Sequence, residues 1–338
     1  MFRGDPARTG VQPGPAPGAP ATIGWRFHTD GDVFSSPAVV DGVIYVGSLD
    51  GELYALDAAT GGERWRFTAD DDVASSPAVA GGAVYFGSLD GRFYAVDAAT
   101  GNERWRAAIG DIIASPAVRD GIVYISSWNG NLYALDAATG AERWRFATGA
   151  EAYASPAVAD GAAYVGNIAG DLRAVDLATG RERWSVKLGG AIYATPAVAG
   201  GVVYVGNSDG QFFAFDAATG AERWRFATGG RIGSSAAIAG GVAYVGSDDH
   251  RVYALDAATG RALWRFETGA EVFSSPAVVG GVICVGSLDG FVYALDATTG
   301  AERWRVHVGD NVYASPAVVG GIVYSGTTTG DVVAIVGP

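Results

Sequence analysis

Between residues 33 and 68 the chain alternates short apolar runs with tight polar breaks: "VFSSPAVV", "GVIYVGS", "ELYALDA" and "ERWRFTA", separated by "DG", "LDG" and "ATGG". Runs of this length, rich in Val, Ile, Tyr, Phe and Trp and cut by Asp-Gly and Thr-Gly, predict β-strands joined by tight turns. Four strands in succession predict one antiparallel sheet. The pattern then recurs along the whole chain, marked by Trp25, Trp65, Trp105, Trp144, Trp184, Trp224, Trp264 and Trp304. A period near 40 with four strands per unit is the signature of a β-propeller blade, in which sheets packed face to face around an axis leave only short edges. The eight tryptophans predict an all-β, eight-bladed β-propeller of four-stranded antiparallel blades over residues 21–338. The chain opens on a lone outer strand around Trp25 and ends on three strands over 313–336, so the N-terminal strand is expected to close the last blade. Residues 1–20, "MFRGDPARTGVQPGPAPGAP", read as an irregular Pro/Gly-rich segment. Trimming residues 1–18 is expected to matter far less than deleting 21–29, which would leave two sheet edges unpaired.

The spacing Ala-x-Asp-x-x-Thr-Gly-x-x-x-Trp occurs seven times, first as Ala55, Asp57, Thr60, Gly61 and Trp65, and last ending at Trp304. Each member has a structural reading: Thr-Gly closes the turn, Asp caps its amides, and Trp fills the seam between blades. An eighth copy is split between Ala334 and Trp25, with Val336 in place of the Asp, which marks the closing blade as the weakest. The motif resembles the tryptophan-docking motif of the PQQ-like repeat propellers. That family includes quinoprotein dehydrogenases, the propeller lipoprotein of the outer-membrane β-barrel assembly machinery and sensor domains of some bacterial kinases. The opening "MFRGDPARTG" also resembles a segment that precedes the first blade in such proteins. The resemblance implies an extracytoplasmic location. No apolar export signal is read in residues 1–20.

Composition narrows the partners. A net charge of −13 and a pI near 4.6 argue against a nucleic-acid binder, which needs a concentrated positive face. Every apolar run is interrupted well short of a membrane-spanning helix, so no direct membrane insertion is expected. A monomer is expected. The resemblance to quinoprotein enzymes implies vicinal cysteines and a calcium set of Glu, Asn and Asp beside the quinone. This chain has one cysteine, Cys284, where sibling copies carry Tyr, and no blade supplies a matching ligand set. No cofactor is therefore expected, PQQ included, and no metal, since three histidines are too few and too scattered for zinc.

Turns in a four-stranded meander fall on two faces. The "DG/GG" and "DAATG" turns of one face hardly vary, whereas the "SLDG" turns and the outer-to-inner crossovers of the other do, so a site is expected at the channel mouth on that second face. Four residues before the first Ser, or its equivalent, of each "SPAV" lie Asp32, Asp72, Asp111, Glu151, Ala191, Arg231, Glu271 and Asn311. Two residues before it lie Phe34, Ala74, Ile113, Tyr153, Tyr193, Gly233, Phe273 and Tyr313. An acidic ring above an aromatic one suits a small cationic or amine ligand, or a segment of a protein partner. Further candidates depart from the repeat: Trp128 in "SSWNGN", Asn167, Asn207, Arg173 where Tyr is usual, and Asp248 and His250 in "SDDHR". The candidate ligand site thus comprises Asp32, Asp72, Trp128, Glu151, Tyr153, Tyr193, Asn207, Arg231, Asp248, His250, Glu271 and Tyr313. Two readings stay open: a non-catalytic binding or scaffold propeller, such as a sensor domain or interaction platform, or an enzyme with its site at the axial mouth, such as a divergent quinoprotein-like oxidoreductase.

Overall fold

A computed structural model describes residues 4–337. They form eight four-stranded antiparallel sheets, seven of consecutive strands and one that joins Thr22–His28 to the three C-terminal strands. In that last sheet Thr22 faces Val336, Trp25 faces Ala334 and His28 faces Asp331, so the two ends of the chain complete one blade as the strand pattern predicts. Inner strands of adjacent blades touch all the way round, including Ala38–Val40 of blade 1 against Ala317–Val319 of blade 8.

The apolar residues do not make one core. They make eight, each sandwiched between two neighbouring sheets, and the cluster of Tyr85, Phe93, Trp105, Ile112 and Tyr133 between blades 2 and 3 is representative. The second strands and the middle of the third are buried, while the outer strands mix exposed and half-buried positions, as in Glu63–Thr68. Each inter-blade seam also has a size rule. A β-carbon on Gly47 would stand 2.6 Å from a Val73 side-chain atom of the next blade, and one on Gly87 2.3 Å from Ile112. Where blade 3 carries Ser126 in place of this glycine, the facing residue is the small Ala152 and the serine hydroxyl donates to the Ala154 carbonyl at 2.6 Å.

The repeated motif works across the seam as well as within the turn. Asp57 Oδ1 accepts the Ala59 and Thr60 amides and the Thr60 hydroxyl, and Oδ2 accepts Arg64 at 2.7 Å. These bonds hold the carboxyls of Asp57, Asp97, Asp176, Asp216 and Asp296 down at about 2, with the arginine the largest cause in each. The indole of Trp65 then lies on the turn of the following blade. Its Nε1 donates to the Ala98 carbonyl at 3.2 Å, and a β-carbon on Gly101 (φ +74°) would stand 2.7 Å from the ring, so glycine serves both the left-handed turn and the close approach. Tyr45 donates to the same Ala98 carbonyl at 2.9 Å.

One seam breaks this rule. Gly337 follows the last strand where the other blades form the Ala-Thr-Gly turn, and the buried Nε1 of Trp304 has no partner among the described residues. Cys284 occupies the tyrosine position of the same seam, and burial pushes its thiol up to about 12. Ala16, Ala21 and Ile23 pack into this seam instead, beside Cys284 and Trp304.

Truncating Trp65 to Ala is expected to cost about 3–5 kcal/mol. Trp65→Phe is expected to cost about 1 kcal/mol more than Trp304→Phe, because only the former loses an indole hydrogen bond. Equilibrium denaturation of the variants measures both. The depressed aspartates contribute stability that is fully present above their unfolded pKa of about 3.9 and is lost as pH falls through their folded values near 2. Scanning calorimetry should therefore show the thermal midpoint falling steeply between about pH 4 and pH 2, and a flat midpoint across that window would show the carboxylates to be irrelevant.

Candidate functional site at the channel mouth

Each crossover carries three consecutive positions with different destinations. The middle one, Val33, Val73, Ile112, Ala152, Ile192, Ile232, Val272 or Val312, is wholly buried in a seam. The residue after it in each crossover faces the axis instead of the seam. The residues that follow, Phe34, Ala74, Ile113, Tyr153, Tyr193, Gly233, Phe273 and Tyr313, line a cavity of about 280 Å³ at the mouth. Below them the same cavity is floored by Ser36, Ser76, Ser115, Ser155, Thr195, Ser235, Ser275 and Ser315.

The floor hydroxyls form a hoop. Ser36 N–H donates to Ser76 Oγ at 2.9 Å, Ser76 to Ser115 at 3.3 Å and Ser115 to Ser155 at 2.7 Å. Thr195 starts a second run to Ser235, Ser235 to Ser275, Ser275 to Ser315, and Ser315 returns to Ser36, so the hoop has seven links and is open between Ser155 and Thr195. A hydroxyl that accepts an amide still has its own proton to give, and among the described residues no acceptor takes it.

The wall is an aromatic belt. Trp128 lies 4.8 Å from Tyr153, and Tyr153 5.8 Å from Tyr193. Phe273 lies 5.5 Å from Tyr313, and Tyr313 5.1 Å from Phe34. Arg231 bridges the two halves, its guanidinium carbon 6.0 Å from the Tyr193 centroid and 5.4 Å from that of Phe273. Gly233 makes this possible, because a β-carbon there would strike Phe273 at 2.6 Å. Arg231 Nε donates to Asp248 Oδ2 at 2.7 Å, while the buried Oδ1 of Asp248 and Nε1 of Trp128 have no partner among the described residues.

Asp32, Asp72, Glu151 and Glu271, expected as a ring above the aromatic one, are absent from the cavity lining, as is Arg231 at the equivalent crossover position. The backbone carbonyls of these four and of Asp111 accept amides from the neighbouring turns, as Asp32 does from Leu49 at 2.9 Å. Glu151 is exposed and accepts the Tyr153 hydroxyl at 3.0 Å. Burial, with Asp71 second, raises the Asp72 carboxyl. The cation position among the aromatics is filled by the protein's own Arg231.

Two of the divergent candidates are engaged in turns. Asn207 is buried, its Nδ2 donating to the Leu188 carbonyl at 3.1 Å and its Oδ1 accepting the Asp209 and Gln211 amides, and Asn167 does the same in blade 4. His250 is exposed at φ 67°, with its carbonyl accepting the Thr268 amide and hydroxyl. Arg173 pairs with Glu182 at 2.6 Å and lies over Phe146.

The N-terminal segment is the residue group that the sequence pattern missed. It crosses the face opposite the mouth and enters the channel, where the carbonyls of Pro6, Ala7, Thr9 and Gly10 accept the inner-strand amides of Val158, Val198, Ile238 and Val278 at 2.7–2.9 Å. Arg8 is fully buried. It donates to the carbonyls of Ser115 and Pro116 at 2.8 Å and of Pro156 at 3.2 Å, just beneath the floor. Burial draws its pKa down to about 9, with Asp5 opposing, so the guanidinium is charged at neutral pH. A cavity of about 290 Å³ is left beside the segment, against blades 7, 8 and 1.

The PQQ-like repeat profile described as outer membrane protein assembly factor BamB matches residues 19–111, 90–176, 129–231 and 213–337. The chain belongs to this family. A search of curated proteins finds no match. Among solved structures, BamB from Moraxella catarrhalis is similar at 22% identity and TM-score 0.79, covering 93% of this chain and 99% of that one. Quinohemoprotein alcohol dehydrogenase from Comamonas testosteroni is similar at 19% identity and TM-score 0.86, over 100% of this chain and 80% of that one. The computationally designed Ika8 protein has 20% identity and TM-score 0.82, over 91% and 96%. At these identities the likeness is one of fold. The cavity lining contains no side-chain carboxylate, amide or thiol, and Cys284 is buried in a seam. Among the described residues no group of three or more His, Cys, Asp or Glu is arranged to hold a metal ion, and no helix is long and apolar enough to cross a membrane.

Replacing Arg8 with Met is expected to destabilise the protein by about 1–3 kcal/mol, since three buried carbonyls lose a charged donor. Deleting residues 4–12 should cost more than the single substitution, since the segment's carbonyls pair with four inner-strand amides. Chemical denaturation of both variants checks this, and unchanged midpoints would show the channel contacts to carry no stability.

Proposed function

We propose that this chain is a non-catalytic, cofactor-free interaction propeller that receives a segment of a protein partner at the channel mouth. The observation that carries the reading is the belt of Trp128, Tyr153, Tyr193, Phe273, Tyr313 and Phe34, of which five line a cavity. Aromatic faces offered to an open cup are the composition of binding hot spots rather than of a solvated rim. The acidic crossover residues Asp32, Asp72, Glu151 and Glu271 favour a segment with basic residues outside the cup, and the net charge of −13 would steer it there. A small amine is the weaker candidate, because Arg231 already occupies the aromatic cation position. Membership in a family described by an outer membrane assembly factor supports both a protein partner and an extracytoplasmic location.

Selection of a displayed random-peptide library against the protein tests this. Peptides combining aromatic and basic residues should be enriched, should bind more weakly as salt rises, and should lose about tenfold or more in affinity on a Tyr153→Ala, Tyr193→Ala double variant that melts like the parent. Enrichment of nothing, or of peptides that bind the variant equally, overturns the reading.

A further inference from the structure

We infer that the segment entering the mouth does so by its C-terminus, with the terminal carboxylate held by Arg231. The inference rests on the partner-binding reading of the same mouth and specifies which end of the partner enters. Among the eight equivalent crossover positions Arg231 is the only cation, where five are acidic. Its orientation is set before any ligand arrives: Nε is committed to Asp248, and the guanidinium plane is flanked by Tyr193 and Phe273. Its remaining N–H groups have no acceptor among the described residues, and the side chain is 46% exposed. A guanidinium held from behind in this way presents a fork for a carboxylate.

The floor supplies complementary chemistry. Each hydroxyl of the hoop that accepts an amide has a proton left to donate, so the bottom of the cup offers donors, and Arg231, outside the lining itself, stands against the Tyr193 and Phe273 rings that form its wall. Acceptor-rich groups such as a carboxylate can use both the floor hydroxyl protons and the guanidinium, whereas an ammonium would be repelled by Arg231. The shape selects the chain end. A cup of about 280 Å³ is small beside ligand cavities of ~300–1,000 Å³, too small for a doubled-back loop of two backbones. Residues 6–10, paired to the inner strands of blades 4–7 beneath the floor, prevent an entering chain from threading onward on that side. The aromatic wall suits an apolar or aromatic terminal side chain, and the acidic crossover residues suit a basic residue preceding it.

The probe is lysyl-alanyl-phenylalanine as the free acid, as the C-terminal amide, and as an amide with glutamate in place of alanine, titrated by calorimetry and ligand-observed NMR. The free acid is expected to bind the parent about tenfold more tightly than the plain amide, a difference of about 1.4 kcal/mol. Arg231→Gln should abolish the difference while leaving the melting temperature unchanged. Equal binding of acid and amide overturns the inference and leaves the mouth reading standing. Equal binding of the free acid and the glutamate-bearing amide assigns the carboxylate to a side chain and overturns the terminal assignment. Binding by none of the three, together with a failed library selection, removes the mouth reading itself.

Discussion

Everything in this molecule hangs on the docking of one blade's tryptophan against the next blade's Thr-Gly turn. A four-stranded sheet alone has no partner for its apolar faces, so each blade is stable only as a neighbour. The indole supplies area, the bare glycine lets it approach, and the Ala or Leu carbonyl receives its N–H, as Trp105 does with Ala137 at 3.0 Å. Because the contact is directional and repeats at every regular seam, it sets the angle between blades and thereby the diameter of the channel. The mouth owes its geometry to this: eight crossovers are delivered to the axis at matched height, and a short Ser side chain at the same point in seven of them accepts the preceding blade's amide.

On that symmetric frame the mouth is deliberately uneven. Blades 2 and 3 present Ala74 and Ile113, leaving an open side, while blades 4 to 8 and 1 carry the aromatic arc interrupted only at Gly233. The interruption is filled by a side chain from two residues earlier in the same blade, Arg231. A ring of identical pockets would bind eight ways equally; a single cation and a single gap give a ligand one orientation.

The blades, their number and their closure were readable because periodicity is a property of sequence, and Trp25 through Trp304 state it directly. The level of the mouth was also readable, since strand alternation separates the seam residue Val33 from the cavity residue Phe34. Which charges reach the cavity was not. Asp32 and Phe34 lie two residues apart on one crossover, yet only Phe34 lines the cavity, and sequence spacing does not say how near the axis a side chain ends. Asn207 and His250 drew notice as departures from the repeat, and the structure employs Asn207 as a longer serine and His250 as a left-handed turn residue. The channel segment was hidden for the opposite reason. It occurs once, has no period, and its Pro/Gly content suits an extended strand on a curved wall as well as it suits a linker. Arg8, the most deeply buried large side chain of the segment, carried no local signal beyond an arginine in an otherwise acidic chain.

The split blade has a consequence for the order in which the chain is built. Thr22–His28 waits for Asp331–Val336, a separation of some three hundred residues, and contacts that distant are the slowest to form. The inner edges that Pro6, Ala7, Thr9 and Gly10 occupy belong to blades 4 to 7, which exist well before the last strand is synthesised. Docking there tethers the waiting strand near the axis and covers part of the nascent inner edge. A strand tethered in this way would close the ring by a shorter search than a free one, which is the consequence of placing the same segment in the channel and beside the closing blade.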